Sequence, residues 1–258
     1  MLTKTILLTL LAVISFGVSA QLKKERVPSY FGIQVRPLFP TRFIGNSTLS
    51  MEQEDPELIY ITTTLRQKVG YSFGGTVRVG LSKLIALETG LNFTQRNFDL
   101  NMSVPDSSIE ITRDLSFISY DLPINALFYI PLAEKWYMNA SLGIDVNFSP
   151  TEIEVKTDTT GANFFWHRGV LDSKLWLGIN ASIGFEFRTE KSGFFYIGGS
   201  GKVPFKPIFS LITNYRYQGY KSNIEGNVDG SFLSLDFKYF FPNIKNKGVQ
   251  PMRGPIVQ

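Results

Sequence analysis

Thirteen consecutive residues, Trp136 to Phe148 (WYMNASLGIDVNF), alternate without a break between apolar side chains and small or polar ones. Trp136, Met138, Ala140, Leu142, Ile144, Val146 and Phe148 form one set, and Tyr137, Asn139, Ser141, Gly143, Asp145 and Asn147 the other. Residues two apart share a face of a strand, so the segment reads as a β-strand with two unlike faces. The pattern recurs in YSFGGTVRVGL (71–81), IALETGLNFTQR (85–96), ISYDLPINALFYI (118–130) and LWLGINASIGFEFR (175–188). Shorter segments are YFGIQVRPL (30–38), the glycine-rich FFYIGGSGKV (194–203), whose faces the pattern leaves ambiguous, and FLSLDFKYFF (232–241). The count is eight strands.

Their connections fall into two classes. Ser82-Lys83-Leu84, Pro131 to Lys135 and Thr189 to Gly193 are short, and the other four are long. Short and long connections alternate, so the short turns gather at one end of the sheet and the long loops at the other. Strands of about 11 to 13 residues, rising ~3.3 Å per residue and tilted about 40°, span the hydrocarbon of a bilayer. The pattern predicts an all-β fold, an eight-stranded antiparallel up-and-down transmembrane β-barrel with long extracellular loops and short periplasmic turns. Ile59, Ile61, Thr63, Leu65, Gln67 and Val69 run in phase with Tyr71 and Phe73, so the second strand is expected to continue above the membrane on the same face. SIEITRDL and TEIEVKT read as further strand pieces in the loops, and prolines 204 and 207 leave the path from 204 to 219 open.

The bulky face carries no charge, whereas the opposite face is rich in Gly, Ser and Asn. Small side chains suit the concave interior of a narrow barrel. The bulky face is therefore expected to meet lipid. Tyr71, Phe93, Tyr120 and Phe148 fall at the loop-side ends of that face, and Phe128, Trp136, Phe187, Tyr239 and Phe241 near the turns. Two such rows are expected at the two interfaces of a bilayer.

The N-terminal MLTKTILLTLLAVISFGVSA reads as a signal peptide over 1–20: Lys4, an apolar run, then Val18-Ser19-Ala20 for cleavage. The barrel would occupy 21–241 and a flexible periplasmic tail 242–258. Loss of Lys4 lowers the formal net charge from +4 to +3. No basic run stands out, which argues against nucleic acid. The chain has no Cys and one His, which excludes disulfides, thiolate sites and a multi-histidine metal site. No later apolar stretch is long enough for a membrane helix. Aromatic residues make up 14% of the chain, a composition suited to a lipid-facing wall.

FGIQVRPLF, DLPINALFYIPL and the closing GSFLSLDFKYFF, together with the signal sequence, resemble the PorT-like outer-membrane β-barrel family, and more broadly barrels of the OmpA and OmpX type. The resemblance covers the mature chain but rests on strand patterns. It implies an integral protein of the bacterial outer membrane; some members of that family serve protein secretion and maturation. It carries over no reactive residue. A tail after KYFF departs from a strictly C-terminal aromatic finish.

The inward charges are the most informative polar residues: Arg78, Glu88, Arg96, Asp121, Asp145, Glu186, Lys202, Asp236 and Lys238. The three-residue turn at 82–84 sets Arg78 opposite Glu88, which predicts an ion pair in the lumen. The same counting across 131–135 sets Asp121 opposite Asp145, which calls for a cation or a shared proton, with Arg96, Lys202 and Lys238 as the cations within reach. His167, in NFFWHRG on a long loop, is the one residue a lipid-modifying enzyme could use, while Phe164, Phe165, Trp166 and Arg168 beside it suit the lipid interface. MEQEDPEL (51–58) is an acidic loop and YRYQGYK (215–221) an aromatic, basic one. The expectation is a non-enzymatic barrel with no cofactor, surrounded by outer-membrane lipid and binding another envelope or secretion-system protein through its loops. The alternatives are a narrow pore or small-molecule passage, and a lipid-modifying enzyme using His167.

Overall fold

The structure is a computed structural model that describes residues 29–55, 58–82, 84–104, 109–150, 153–158, 164–189, 192–217 and 220–242, with the backbone alone at 53–55, 58–60, 109, 153–158, 217 and 220–222. The expected signal peptide and the tail beyond Pro242 lie outside the described residues.

Thirteen strands are described: β1 (Ser29–Pro40), β2 (Thr48–Asp55), β3 (Leu58–Gly80), β4 (Ile85–Val104), β5 (Ile109–Pro131), β6 (Trp136–Phe148), β7 (Ile153–Asp158), β8 (Phe164–Val170), β9 (Leu175–Arg188), β10 (Phe194–Pro204), β11 (Phe209–Tyr217), β12 (Tyr220–Val228) and β13 (Phe232–Phe240). Eight close a ring in the order β1, β3, β4, β5, β6, β9, β10, β13, with β13 returning to β1 and every neighbour antiparallel. These are the eight strands read from the alternation. Closure removes the edges that an open sheet would expose.

The second turn is tighter than its sequence suggested. Leu132 N–H donates to Trp136 O at 3.0 Å, so the strands continue past Pro131 and turn through Ala133-Glu134-Lys135 alone. Register shifts by two, and Asp121 faces Asn147 while Asp145 faces Pro123. The expected Asp121–Asp145 pairing is therefore corrected. In the third turn Gly193 takes φ 77°, where a Cβ would run into the Phe240 carbonyl.

β3, β4 and β5 rise well above the other staves, and β2 pairs with the top of β3. A second sheet, β12-β11-β8-β7, packs over them. Met51, Leu65, Phe98, Leu100, Leu115 and Phe117 from the first sheet meet Phe209, Leu211 and Val228 from the second. Further up, Ile61, Met102 and Val104 meet Phe165 and Tyr215. The long loops thus build a β-sandwich cap with an apolar core of its own.

Polarity inverts where barrel becomes cap. On β4 the outward side chains are Ile85, Leu87, Leu91 and Phe93, then Gln95, Asn97, Asp99, Asn101 and Ser103; the inward ones are Glu88, Asn92, Thr94 and Arg96, then Phe98, Leu100, Met102 and Val104. β5 switches at the same height, with outward Ile118 opposite Gln95 and outward Ser116 opposite Asn97. β3 switches by another route. A bulge between Lys68 and Tyr71 turns Ile61, Thr63, Leu65 and Gln67 inward, while Val69, Tyr71 and Phe73 face out. The expected common phase of 59–69 with Tyr71 and Phe73 is corrected for this reason.

Candidate functional site

The lumen is filled in layers. At the turn end Tyr30, Ala86, Leu127, Tyr129, Tyr137, Phe194 and Phe240 make an aromatic floor. The Arg78 guanidinium lies 4.1 Å over the Phe240 ring, and that of Arg188 lies 4.2 Å over Tyr137. Above the floor, Arg78 donates to Glu88 Oε2 from Nε at 2.9 Å and Nη2 at 2.6 Å, and to Glu186 from Nη1. Lys238 Nζ donates to Glu88 Oε1 at 2.5 Å, and Arg188 Nε to Glu186 Oε1 at 2.6 Å. Three cations and two carboxylates are thus woven together within four strands and buried, where an unmatched charge costs several kcal/mol.

At mid-height Gln34 donates to Asn92, and Ser200 and Ser234 donate to Asp236 Oδ1 at 3.0 and 2.7 Å. Gly74, Gly90, Gly143 and Gly198 line this level; a Cβ at Gly143 would collide with Asn125. In the upper layer Lys202 Nζ sits 3.0 Å from Asp121 Oδ2 and 3.6 Å from Asp145 Oδ2, and donates to Asn147 Oδ1 at 2.5 Å. Thr94 and Ser119 donate to Asp121 at 2.7 and 2.8 Å, and Asn180 to Asp145 at 2.9 Å. A protein cation, not a shared proton, therefore sits between the two carboxylates. Among the described residues, Arg96 makes no salt bridge to a carboxylate. It donates to Ser119 Oγ at 3.2 Å, and its guanidinium lies 5.0 Å from the Phe232 ring and 5.4 Å from Trp176. Trp176, Phe117 and Phe209 then close the top beneath the cap core.

The nine inward charges thus divide between two layers and Asp236 between them. Arg188 and Arg36, which donates to Ser72 Oγ at 3.0 Å, were not singled out in the sequence. Arg188 could have been found, since it follows Glu186 by two on the same face. On the outer wall Tyr71, Phe93 and Tyr120 form a chain of rings with centroids 6.2 and 5.9 Å apart, and Phe148 lies opposite Tyr120. Near the turns the Trp136 ring lies tilted 4.9 Å from Phe187 and Tyr239 meets Phe241 edge-on at 5.0 Å, with Phe31 and Phe195 joining the row; Phe128 faces outward at the same end.

His167 lies in the core of the cap at 1% exposure. Its Nδ1 shares a hydrogen bond with Thr213 Oγ1 at 3.1 Å, and its Nε2 has no partner. Burial pulls its imidazole down to about 4, so it is neutral at pH 7. Phe165 beside it is buried among Ile61, Met102 and Tyr215, which corrects its expected place at the lipid interface. Among the described residues no three of His, Asp and Glu converge as metal ligands. Lys68, on the outside of β3 above the bulge, lies 3.0 Å from both Asp99 and Asp114, whose hydrogen bonds raise its pKa.

No family model matches the sequence, and no curated protein does. Among solved structures, the outer membrane protein OprG from Pseudomonas aeruginosa shares 9% identity, covering 85% of this chain and 98% of that one with a TM-score of 0.48. The β domain of the Bordetella autotransporter BrkA shares 10% identity, covering 85% and 100%, with a TM-score of 0.30.

Proposed function

We propose that this chain is a non-enzymatic integral barrel of a bacterial outer membrane that holds another envelope protein against its external cap. The observation that carries this reading is the inversion of polarity at one height on β3, β4 and β5. Below that height the wall is apolar outside and polar inside; above it the order is reversed. A barrel wholly in water gains nothing from the switch, whereas one that passes from lipid into water requires it. The two rows of aromatic side chains support the same boundaries.

The filled lumen supports a role for the cap rather than for a passage. Two ionic layers, an aromatic floor and an apolar roof succeed one another within a narrow ring. The partly accessible glycines and serines at mid-height favour a pore only if the roof opens. Enzymatic use of His167 finds no support in its burial, since a side chain at 1% exposure meets no lipid substrate. The resemblance of DLPINALFYIPL and GSFLSLDFKYFF to the PorT-like family points toward a secretion or maturation system as the setting.

The test is crosslinking of a tagged full-length copy in outer membranes, extraction in detergent and mass spectrometry of what is retained. A stoichiometric envelope protein that is lost when the β11–β12 hairpin is shortened is the expected result. A lone barrel under crosslinking overturns the accessory role.

A further inference from the structure

Among the described residues, the upper part of β5 is paired on one flank only. β6 leaves the sheet at Phe148, opposite Tyr120, whereas β4 continues to Val104, opposite Ile109. Residues 109–119 are therefore paired to β4 and, among the described residues, to no strand on the other side. β7 passes nearby in the second sheet and pairs with β8 instead. The direction of the amides follows from the lower half of the strand. Tyr129 N–H bonds to Leu84 on the β4 side, while Leu132 N–H turns to Trp136 on the β6 side. Even-numbered residues of β5 thus aim N–H and C=O away from β4, and no register shift intervenes from Asp121 up to Ile109. Glu110, Thr112, Asp114 and Ser116 present their amides to the open flank.

Natural sheets blunt such edges with prolines, bulges, charged side chains or short length. β2, the opposite edge of the same sheet, has a register shift between Gln53 and Asp55. The described β5 edge has neither proline nor bulge, and the charges of Glu110, Arg113 and Asp114 alone guard it. Its one covering is local: Arg113 Nη1 donates to Thr112 O at 3.1 Å, taking the place of a neighbouring strand's N–H.

We propose that this flank takes up an extended segment of a partner protein by strand addition, the segment's amides completing the β5 ladder. The proposal rests on the reading of the cap as a docking surface and names the place on it. The sequence of the segment follows from the two faces of β5. On the face toward the cap core stand Ile111, Leu115 and Phe117, with the exposed Arg113 between the first two, so the segment's matching positions are apolar except beside Arg113. On the outer face both charged positions of β5, Glu110 and Asp114, are acidic. With Asp99 on β4 they make three carboxylates against Arg66 and Lys68 on β3, and since Lys68 bridges Asp99 and Asp114, Glu110 is the carboxylate that most favours Lys or Arg at the alternate positions.

The probe is a fluorescent nine-residue peptide of alternating Val and Lys, titrated by anisotropy against the full chain in lipid nanodiscs, beside a Val–Glu peptide of equal length. Binding of the Val–Lys peptide, at least tenfold weaker for the Val–Glu peptide and for Thr112→Pro, is expected. Thr112→Pro removes an outward N–H and leaves the β4 ladder intact. Asp114→Lys tests the charge without touching the backbone and weakens binding in the same direction. Since the chain has no Cys, Thr112→Cys should form a disulfide with a cysteine-bearing peptide, and Ser50→Cys on β2 should not. No peptide binding, equal binding by Thr112→Pro, crosslinking at Ser50→Cys alone, or a Thr112→Cys dimer in place of the peptide adduct each overturns the site. An envelope partner lost on shortening the cap but retained by Thr112→Pro removes this edge and leaves the accessory role standing; peptide binding by a barrel that retains no partner does the reverse.

Discussion

Lys202 reaches from β10 to two carboxylates on β5 and β6, and the consequence of removing it follows from burial. Lys202→Met leaves Asp121 and Asp145 in the lumen without their cation, which should cost about 3–5 kcal/mol. Adding Asp121→Asn should restore part of that loss, and urea titration of folding into lipid vesicles measures both; a double variant no more stable than the single one removes the pairing. His167 sets a different dependence. Its folded value near 4 lies below the ordinary 6.5, so the unfolded cap takes up a proton that the folded one refuses. The cap keeps this contribution above pH 6.5 and loses it as pH falls toward 4, by on the order of 3 kcal/mol. Hydrogen-exchange protection of β8 and β11, corrected for intrinsic rates, should fall over that window, and His167→Leu should flatten the fall. That Asp121 and Asp145 face inward was legible, because alternation assigns a face to each. Which cation meets which carboxylate was not, because that depends on strands far apart in the chain.

Val69 and Gly70 show why an element can be found in the sequence and still be misread. Both halves of β3 alternate well, and nothing in either half announces that their apolar faces point in opposite directions. The bulge is the device that lets one strand turn its apolar side chains outward below and toward the cap core above. Deleting Val69 alone should leave Gly70 opposite Arg96 and make the strand regular with Leu65 and Gln67 still inward, whereas deleting both Val69 and Gly70 should turn Leu65 and Gln67 outward. The expected outcome is loss of the heat-modifiable folded form on gel electrophoresis for the double deletion and its retention for the single one. β10 was ambiguous for a related reason: Gly198, Gly199 and Gly201 fall on both faces, so its own pattern assigns neither. Pairing of Ser200 with Ser182 on β9 and with Ser234 on β13 settles it, with Lys202 inward. The turn at 133–135 likewise depended on one hydrogen bond beyond Pro131, and that bond moved every pair between β5 and β6 by two.

The molecule as a whole is a barrel with a side-chain-filled lumen, over which a second sheet packs. Planar-bilayer recordings of the full chain should therefore show no stepwise conductance, and steps under ordinary salt would reopen the passage reading. Alternation by itself determined the eight staves, the alternating short and long connections and the polar interior, because a period of two is imposed locally by strand geometry and by the solvent on each face. The cap escaped notice as a domain. TEIEVKT and SIEITRDL were visible as strand pieces, but their partners lie in other loops, and no local period reports a contact between loops. Tertiary structure alone decided that the loops fold on one another over the lumen, that β3 inverts at its bulge, and that one lysine bridges Asp121 and Asp145. Each of these is set by packing between segments distant in sequence, where burial and charge matching act across space and leave no repeat along the chain.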